Sequence, residues 1–225
     1  MAKRKLQRFS EVEAAPNVIQ HVQTSADIDD LHLKGKWQKE YFKNNQPIVL
    51  ELGCGKGEYT LGLAERFKNM NFIGVDIKGA RIWRGSKTAL ENNFTNVAFI
   101  RARVDTTETM FANNEVDEIW ITFPDPQLQQ SKERKRLTSP FFLNKYKNVL
   151  KSGGIIHLKT DNKPFYDYTL EVIKQQKHEL LVSTDDLYAE KKKMDLPEGL
   201  LDIKTFYEAM FTAKGFKICY LKFRI

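Results

Sequence analysis

An apolar run, Pro47-Ile48-Val49-Leu50, ends in Glu51 and passes at once into a glycine loop, Gly53-Cys54-Gly55-Lys56-Gly57. An amphipathic helical pattern begins directly behind it, with Tyr59, Leu63 and Phe67 at i, i+4 and i+8. Glycines at alternate positions let the backbone turn sharply and let a ligand touch the main chain. A second apolar run, Phe72-Ile73-Gly74-Val75, ends in Asp76. A nucleotide-binding fold keeps its ribose-gripping acid about twenty residues beyond the glycines, which is where Asp76 falls. Strand, glycine loop, helix, strand and acid in this order predict a site for an adenine-containing small molecule.

The alternation continues along the chain. Strands are expected over 47–52, 72–76, 97–100, 116–123, 155–160, 180–183 and 216–223. Helices are expected over 57–68, 79–93, 140–150 and 165–176, with a shorter one over 36–42. Ile82, Ala89 and Leu90 fall on one face of the second of these, and Ser152-Gly153-Gly154 reads as the stop of the third. Strands separated by helices dictate a parallel sheet covered on both faces, and right-handed crossovers make it doubly wound. The expected fold is therefore α/β, a mostly parallel, Rossmann-like sheet with helices on both faces and an antiparallel last strand. Such sheets bind ligands beyond the carboxyl ends of their strands. The glycine loop, Asp76, Phe123-Pro124-Asp125-Pro126 and Thr160-Asp161 all fall at such ends. Residues 1–34 are expected as a basic arm, flexible at its start, and 35–225 as a single domain. A chain of 225 residues can bury a core of that size.

No apolar run approaches the ~20 residues that span a bilayer, and no signal-peptide core follows the basic start. A cytoplasmic location without membrane contact is expected. Cys54, Cys219 and the scattered His21, His32, His157 and His178 show no ligand spacing, so neither metal nor disulfide is expected. Cys54 reads as a small buried filler of the loop. The net charge of +7 gathers in clusters. Lys3, Arg4, Lys5 and Arg8 open the chain; Lys132, Arg134, Lys135 and Arg136 lie directly behind the Phe123–Pro126 loop; Lys191, Lys192 and Lys193 form a late run. A basic cluster beside an expected site loop points to a polyanionic partner.

Two nucleotide chemistries compete for the glycine loop. A dinucleotide fingerprint carries its third glycine one residue later than Gly57 and lays a pyrophosphate on the helix N-terminus. Glu51 ahead of the loop would repel that pyrophosphate and suits a ligand with a cationic end. S-adenosylmethionine, with an ammonium, a sulfonium and no phosphate, meets that requirement. Asp76, an acceptor-only carboxylate, suits a ribose diol.

Glu51-x-Gly53-x-Gly55-x-Gly57, Gly74-Val75-Asp76-Ile77, Phe123-Pro124-Asp125-Pro126, Arg134-Lys135-Arg136-Leu137, Gly153-Gly154 with Lys159-Thr160-Asp161, and Thr205-Phe206-Tyr207-Glu208 occur in this order. From about residue 35 onward the chain resembles the bacterial tRNA (guanine-N7)-methyltransferases, the TrmB family, whose fold is of the class I methyltransferase type. The resemblance implies S-adenosylmethionine as cofactor and a tRNA guanine, in the variable loop, as substrate. It makes Glu51, Gly53, Gly55 and Asp76 cofactor-binding residues. Asp125 matches the catalytic acid, which also touches the cofactor. Asp161 and the stretch Thr205, Phe206, Tyr207 and Glu208 match substrate-binding positions. The family loop usually continues Trp-Pro-Lys after the second proline, whereas here it reads Gln127-Leu128-Gln129, so Gln129 stands at a substrate-binding lysine position. The acid expected on the adenine side falls near Arg103, with Asp105 two residues on. The sequence leaves the oligomeric state open between monomer and homodimer.

Guanine N7 carries a lone pair and no hydrogen, so in-line transfer of a sulfonium methyl needs no general base. Asp125 is expected to hold the guanine's N1–H and N2 donors and to stabilise developing positive charge. Arg134 and Arg136, with their lysine neighbours, are expected to contact phosphates, which position RNA without reading its sequence. Thr205 followed three residues later by Glu208 is equally an ordinary helix cap. Two other readings stay open: a class I methyltransferase acting on a small molecule or protein, and a non-catalytic RNA-binding protein on the same fold.

Overall fold

The computed structural model describes residues 2–23 and 29–225. The side chains of Lys3, Arg4 and Lys5, in the first basic cluster, lie outside the described residues. Eight strands form one sheet: β1 Val18–Gln20, β2 Ile48–Leu52, β3 Asn71–Asp76, β4 Val97–Arg101, β5 Val116–Thr122, β6 Leu150–Thr160, β7 Glu179–Thr184 and β8 Cys219–Arg224. Their spatial order is β1-β4-β3-β2-β5-β6-β8-β7. β1 to β6 pair in parallel, whereas β8 runs antiparallel to both β6 and β7. The helices are α1 Ala2–Ala14, α2 Glu58–Arg66, α3 Gly79–Glu91, α4 Thr107–Met110, α5 Pro140–Val149, α6 Lys163–Gln175, α7 Leu187–Glu190 and α8 Phe206–Ala213.

Side chains on a strand alternate between faces, so each strand feeds two cores. Leu50, Ile73, Ile100, Ile119 and Ile156 pack with Trp37, Phe142 and Tyr146 on one face. Val49, Phe72, Phe99, Trp120 and Tyr220 pack with Tyr59, Leu63 and Ile82 on the other. Glu51 shares the parity of Val49 and therefore points toward α2. Cys54 is buried in that second core, filling space against Gly74, as its place in the loop suggested.

Sequence and structure differ at several elements. The stretch read as a basic arm forms α1 and β1. β1 extends the sheet beside β4, with Val18 opposite Phe99, and α1 packs on α3. A three-residue strand is too short to show a period of two, and Asn17 and Ser86 anchor it by side-chain bonds of 2.6 and 3.1 Å that no local pattern reveals. Leu90 is exposed; the buried face of α3 is Ile82, Gly85, Ser86 and Ala89. Gly153-Gly154 lies inside β6 and does not terminate α5, because the chain bulges out between the Val116–Leu150 and Glu118–Ile155 pairs. β8 starts at Cys219, leaving Phe216 exposed. Residues 37–42 coil as a π-helix, with Trp37 fully buried and its Nε1 donating to Met110 O at 3.0 Å. No helix of the described residues is long and apolar enough to cross a membrane.

Candidate active site at the carboxyl edge of the sheet

From β2 the chain winds through β3 and β4 in one direction, and from β5 through β6 in the other. Loops leaving β2 and β5 diverge and open a crevice at their carboxyl ends. Thr122, the last residue of β5, ties the two strands by donating from Oγ1 to Glu51 Oε1 at 2.6 Å. Glu51 Oε2 accepts from Thr60 N at 2.8 Å and Thr60 Oγ1 at 2.5 Å. Burial pushes the Glu51 carboxyl up to about 7, against the pull of these donors. Glu51, expected to face a cationic ligand, lies beneath the loop and braces it from below.

The loop itself is held in left-handed backbone at Gly53, Gly55 and Gly57, with φ of 75°, 58° and 71°. A Cβ on Gly57 would stand 2.5 Å from the Phe99 ring, so glycine is required there for space as well as conformation. Over Gly55 nothing lies within 4 Å of where a Cβ would be, which leaves its backbone open to a ligand. Asp76 shapes the loop from the β3 side. Its Oδ2 accepts from Gly55 N at 2.9 Å and its Oδ1 from Lys78 N at 2.8 Å.

Two cavities meet at Gly53. The larger, of 780 Å³, has Asp76 on its wall and an apolar lining from Ile77, Ala102, Val104 and Phe142. Arg103, Ser131, Arg134 and Lys135 supply its polar lining. Arg103 therefore reaches the cavity, but its guanidinium is engaged by Asp105, with Nε–Oδ1 at 2.9 Å and Nη2–Oδ2 at 2.5 Å. The Arg103 bond holds the Asp105 carboxyl below the usual carboxylate range. The smaller cavity, of 120 Å³, runs along Gly53–Lys56 to Thr122, Phe123, Thr205, Phe206 and Tyr207.

Asp125 stands exposed in the loop that leaves β5. Phe123 and Gln127, on either side of the two prolines, hold φ of 47° and 46°. Non-glycine residues in that region cost on the order of 1–3 kcal/mol each and persist only where neighbours enforce them. Phe123 N donates to Lys159 O at 2.8 Å, and Gln127 N to Asp125 Oδ1 at 3.1 Å. Arg136 clamps the far side, reaching Gln127 O at 3.1 Å and Leu128 O at 3.3 Å while its guanidinium lies over Tyr168. Expected as a phosphate contact, Arg136 is engaged in shaping the loop. Arg134 lies over Phe141 and faces the larger cavity. Gln129 is exposed just beyond the loop.

Asp161 follows β6 half-buried, and burial raises its carboxyl above the ordinary range. The Thr205 stretch divides. Thr205 caps α8 by accepting from Glu208 N at 3.1 Å. Phe206 and Tyr207 are exposed on the small cavity. Glu208, in contrast to its expected substrate contact, is wholly buried: its Oε1 lies 2.7 Å from Lys159 Nζ and accepts from Tyr188 OH at 2.6 Å. Lys159 also donates to Leu200 O at 2.6 Å, and burial lowers its pKa. The one local signal for Lys159 was a lysine inside an apolar strand. Phe142 and Ser131 carried no signal, since α5 and the turn over Gln130–Lys135 reach the cavity only through tertiary packing.

The chain matches the family model described as "Putative methyltransferase" over residues 45–221. A tRNA (guanine-N(7)-)-methyltransferase of Christiangramia forsetii is 50% identical, with 100% of this chain and 99% of the relative covered. Proteins of the same description from Bacteroides fragilis and Brevibacillus brevis are 45% and 32% identical, over 99% and 94% of this chain and 86% and 95% of theirs. Among solved structures, "Structure of an Antibiotic Related Methyltransferase" superposes with a TM-score of 0.62 at 16% identity, covering 88% of this chain and 96% of the other. The 16S rRNA methyltransferase KamB superposes at 0.61 and 14% identity, covering 91% and 95%. These two share the fold. Full-length identity of this order with the curated relatives decides the family: the chain belongs to the tRNA (guanine-N(7)-)-methyltransferases.

Proposed function

We propose that the protein transfers a methyl group from S-adenosylmethionine to N7 of a guanine in tRNA, the variable-loop guanine by family resemblance, in the cytoplasm and as a monomer or homodimer. The observation that carries this reading is the crevice at Gly53. An acid-walled cavity with an apolar lining opens there beside a proline-stiffened loop bearing Asp125 and a basic flank.

The residues present suit the cofactor. Asp76 accepts from a ribose diol, Gly53 and Gly55 offer bare backbone, and Ile77, Ala102, Val104 and Phe142 receive a flat ring. Arg103 with Asp105 closes that end in place of the family's acid. Glu51 contributes by holding the loop. When bound, S-adenosylmethionine supplies an electrophilic methyl on sulfur.

Guanine N7 is an unprotonated acceptor, so the chain needs to hold and orient the base and has no proton to remove. Asp125 receives the guanine's N1–H and N2 donors and stabilises the positive charge the ring acquires. Its Oδ1 already accepts from Gln127 N, and Oδ2 has no partner among the described residues. Phe123, Phe206 and Tyr207 exclude water, and Asp161 and Gln129 offer further polar contacts at the edge. Arg134, with Lys132 and Lys135, neutralises phosphates, and Arg136 fixes the Asp125 loop. The test is direct. Incubation with labelled S-adenosylmethionine and unmodified tRNA, followed by digestion, yields labelled 7-methylguanosine; label in any other nucleoside, or none, rejects the reading.

A further inference from the structure

We infer that the sugar–phosphate backbone of the tRNA runs over a second basic surface, formed by Lys56 of the glycine loop, Lys78 at the N-cap of α3, and Arg81 and Arg84 of α3. This rests on the tRNA reading above and names where, besides residues 132–136, the RNA is held. Lys56 and Arg81 wall the small cavity, on the other side of Gly53 from Arg134 and Lys135. Loop and helix form one surface there, because a Cβ on Gly85 of α3 would stand 2.6 Å from Lys56 O. Arg81 and Arg84 are neighbours on the helix at three-residue spacing, and Lys78 precedes them at its N-cap. Lys78 and Arg84 are exposed and Arg81 is half-buried.

Among the described residues none of these four cations has a carboxylate within 4.0 Å. Lys87, one step further along α3, does have one, Glu91 at 3.8 Å, as does Arg66 with Asp202 at 2.8 Å, although other surface lysines such as Lys39, Lys43 and Lys68 are also without one among these residues. Neighbouring like charges repel, and cations in the first turn oppose the helix dipole. Among the described residues no ion pair within 4.0 Å offsets these penalties, and Glu58 is the one acid lining the small cavity with Lys56 and Arg81. Phosphates arriving at the mouth of the site supply the counter-charge, and the row ends where Lys87 turns to Glu91 and Trp83. Phe206 under Lys56 Nζ at 4.5 Å and Tyr207 beside Arg81 put exposed rings at the same mouth, where bases stack while the backbone follows the cations.

The experiment compares the full-length wild type with Lys78→Gln/Arg84→Gln, both positions lying outside the cavities. Binding of unmodified tRNA is measured across a salt series, with S-adenosylmethionine affinity as the fold control. The neutralised pair is expected to bind tRNA roughly tenfold more weakly, with the slope of log affinity against log salt reduced by about 2. Lys78→Arg/Arg84→Lys is expected to restore both. Wild-type affinity and slope in the neutralised pair overturn the inference, as does loss of cofactor affinity with the tRNA effect. A wild type whose tRNA binding ignores salt overturns this surface and the substrate reading together, whereas normal salt-dependent binding with an unaffected pair removes the surface alone.

Discussion

Lys159 Nζ lies 2.7 Å from Glu208 Oε1, and neither side chain is exposed. The pair joins β6 to α8, and through Tyr188, Tyr59 and Leu200 it gathers α7, α2 and the segment before α8. One buried charge pair thus sets where Phe206 and Tyr207 meet the small cavity. Removing one partner leaves the other charge uncompensated. Lys159→Met is expected to lower unfolding stability by about 3–5 kcal/mol in a denaturant titration. Lys159→Met/Glu208→Leu should recover most of that loss and keep the KM for tRNA near wild type. A stable double variant without turnover would show instead that Glu208 touches substrate.

Asp125→Asn keeps the shape of the side chain and its acceptor for Gln127 N. It should reduce kcat roughly a hundredfold or more while S-adenosylmethionine affinity holds. Equal losses in turnover and cofactor affinity would move Asp125 from the base to the cofactor.

Arg136 and Arg134 separate two roles that adjacency in sequence blurs. Arg136→Ala frees the backbone of Gln127 and Leu128, so kcat is expected to fall while the salt dependence of tRNA binding stays within error of wild type. Arg134→Gln should raise KM and reduce the salt slope by about 1. The reverse pattern would exchange their assignments.

Glu51 gives the fold a pH dependence. Below the ordinary glutamate value of 4.5 the carboxyl is protonated in both states; between there and about 7 the folded protein retains a proton that the unfolded chain has released. The raised folded value therefore adds stability that is complete below 4.5 and is lost as pH rises through about 7, a span of roughly 3 kcal/mol. Glu51→Gln lacks this titration. Urea unfolding of both proteins along a pH series should show the wild type losing stability relative to the variant across that window, and parallel curves would refute the buried-acid account.

Two glycines of the loop should respond differently to alanine. Gly57→Ala meets the Phe99 ring and a left-handed φ, so it should unfold at clearly lower denaturant. Gly55→Ala meets open space and pays only the backbone cost, about 1–2 kcal/mol, yet it should weaken cofactor binding measured by calorimetry. Unchanged cofactor affinity in Gly55→Ala would mean that the ligand does not approach that backbone.

The central strands, the crossover helices and the loops at their carboxyl ends were legible because each is written locally. Apolar runs of strand length, helical spacing and glycines at alternate positions need no distant partner to be recognised. α1 and β1 were not legible, since β1 is only Val18–Gln20 and its pairing with Phe99 and Ile100 comes from another part of the chain. α8 was legible only at its start, as the Thr205–Glu208 cap, because much of what holds it in place is Lys159, on another strand.

The sequence by itself determined the order of strands and helices, the glycine bend and the chemical types at the sheet's edge, since these depend on neighbours within a few residues. Tertiary structure alone decided which of the acids meets solvent. Strand parity and the packing of α2 and α8 turn Glu51 and Glu208 inward against Thr60, Thr122 and Lys159, leave Asp76 on a cavity wall and leave Asp125 exposed. A carboxylate's role follows from the donors and solvent that surround it, and those are assembled only when distant segments pack.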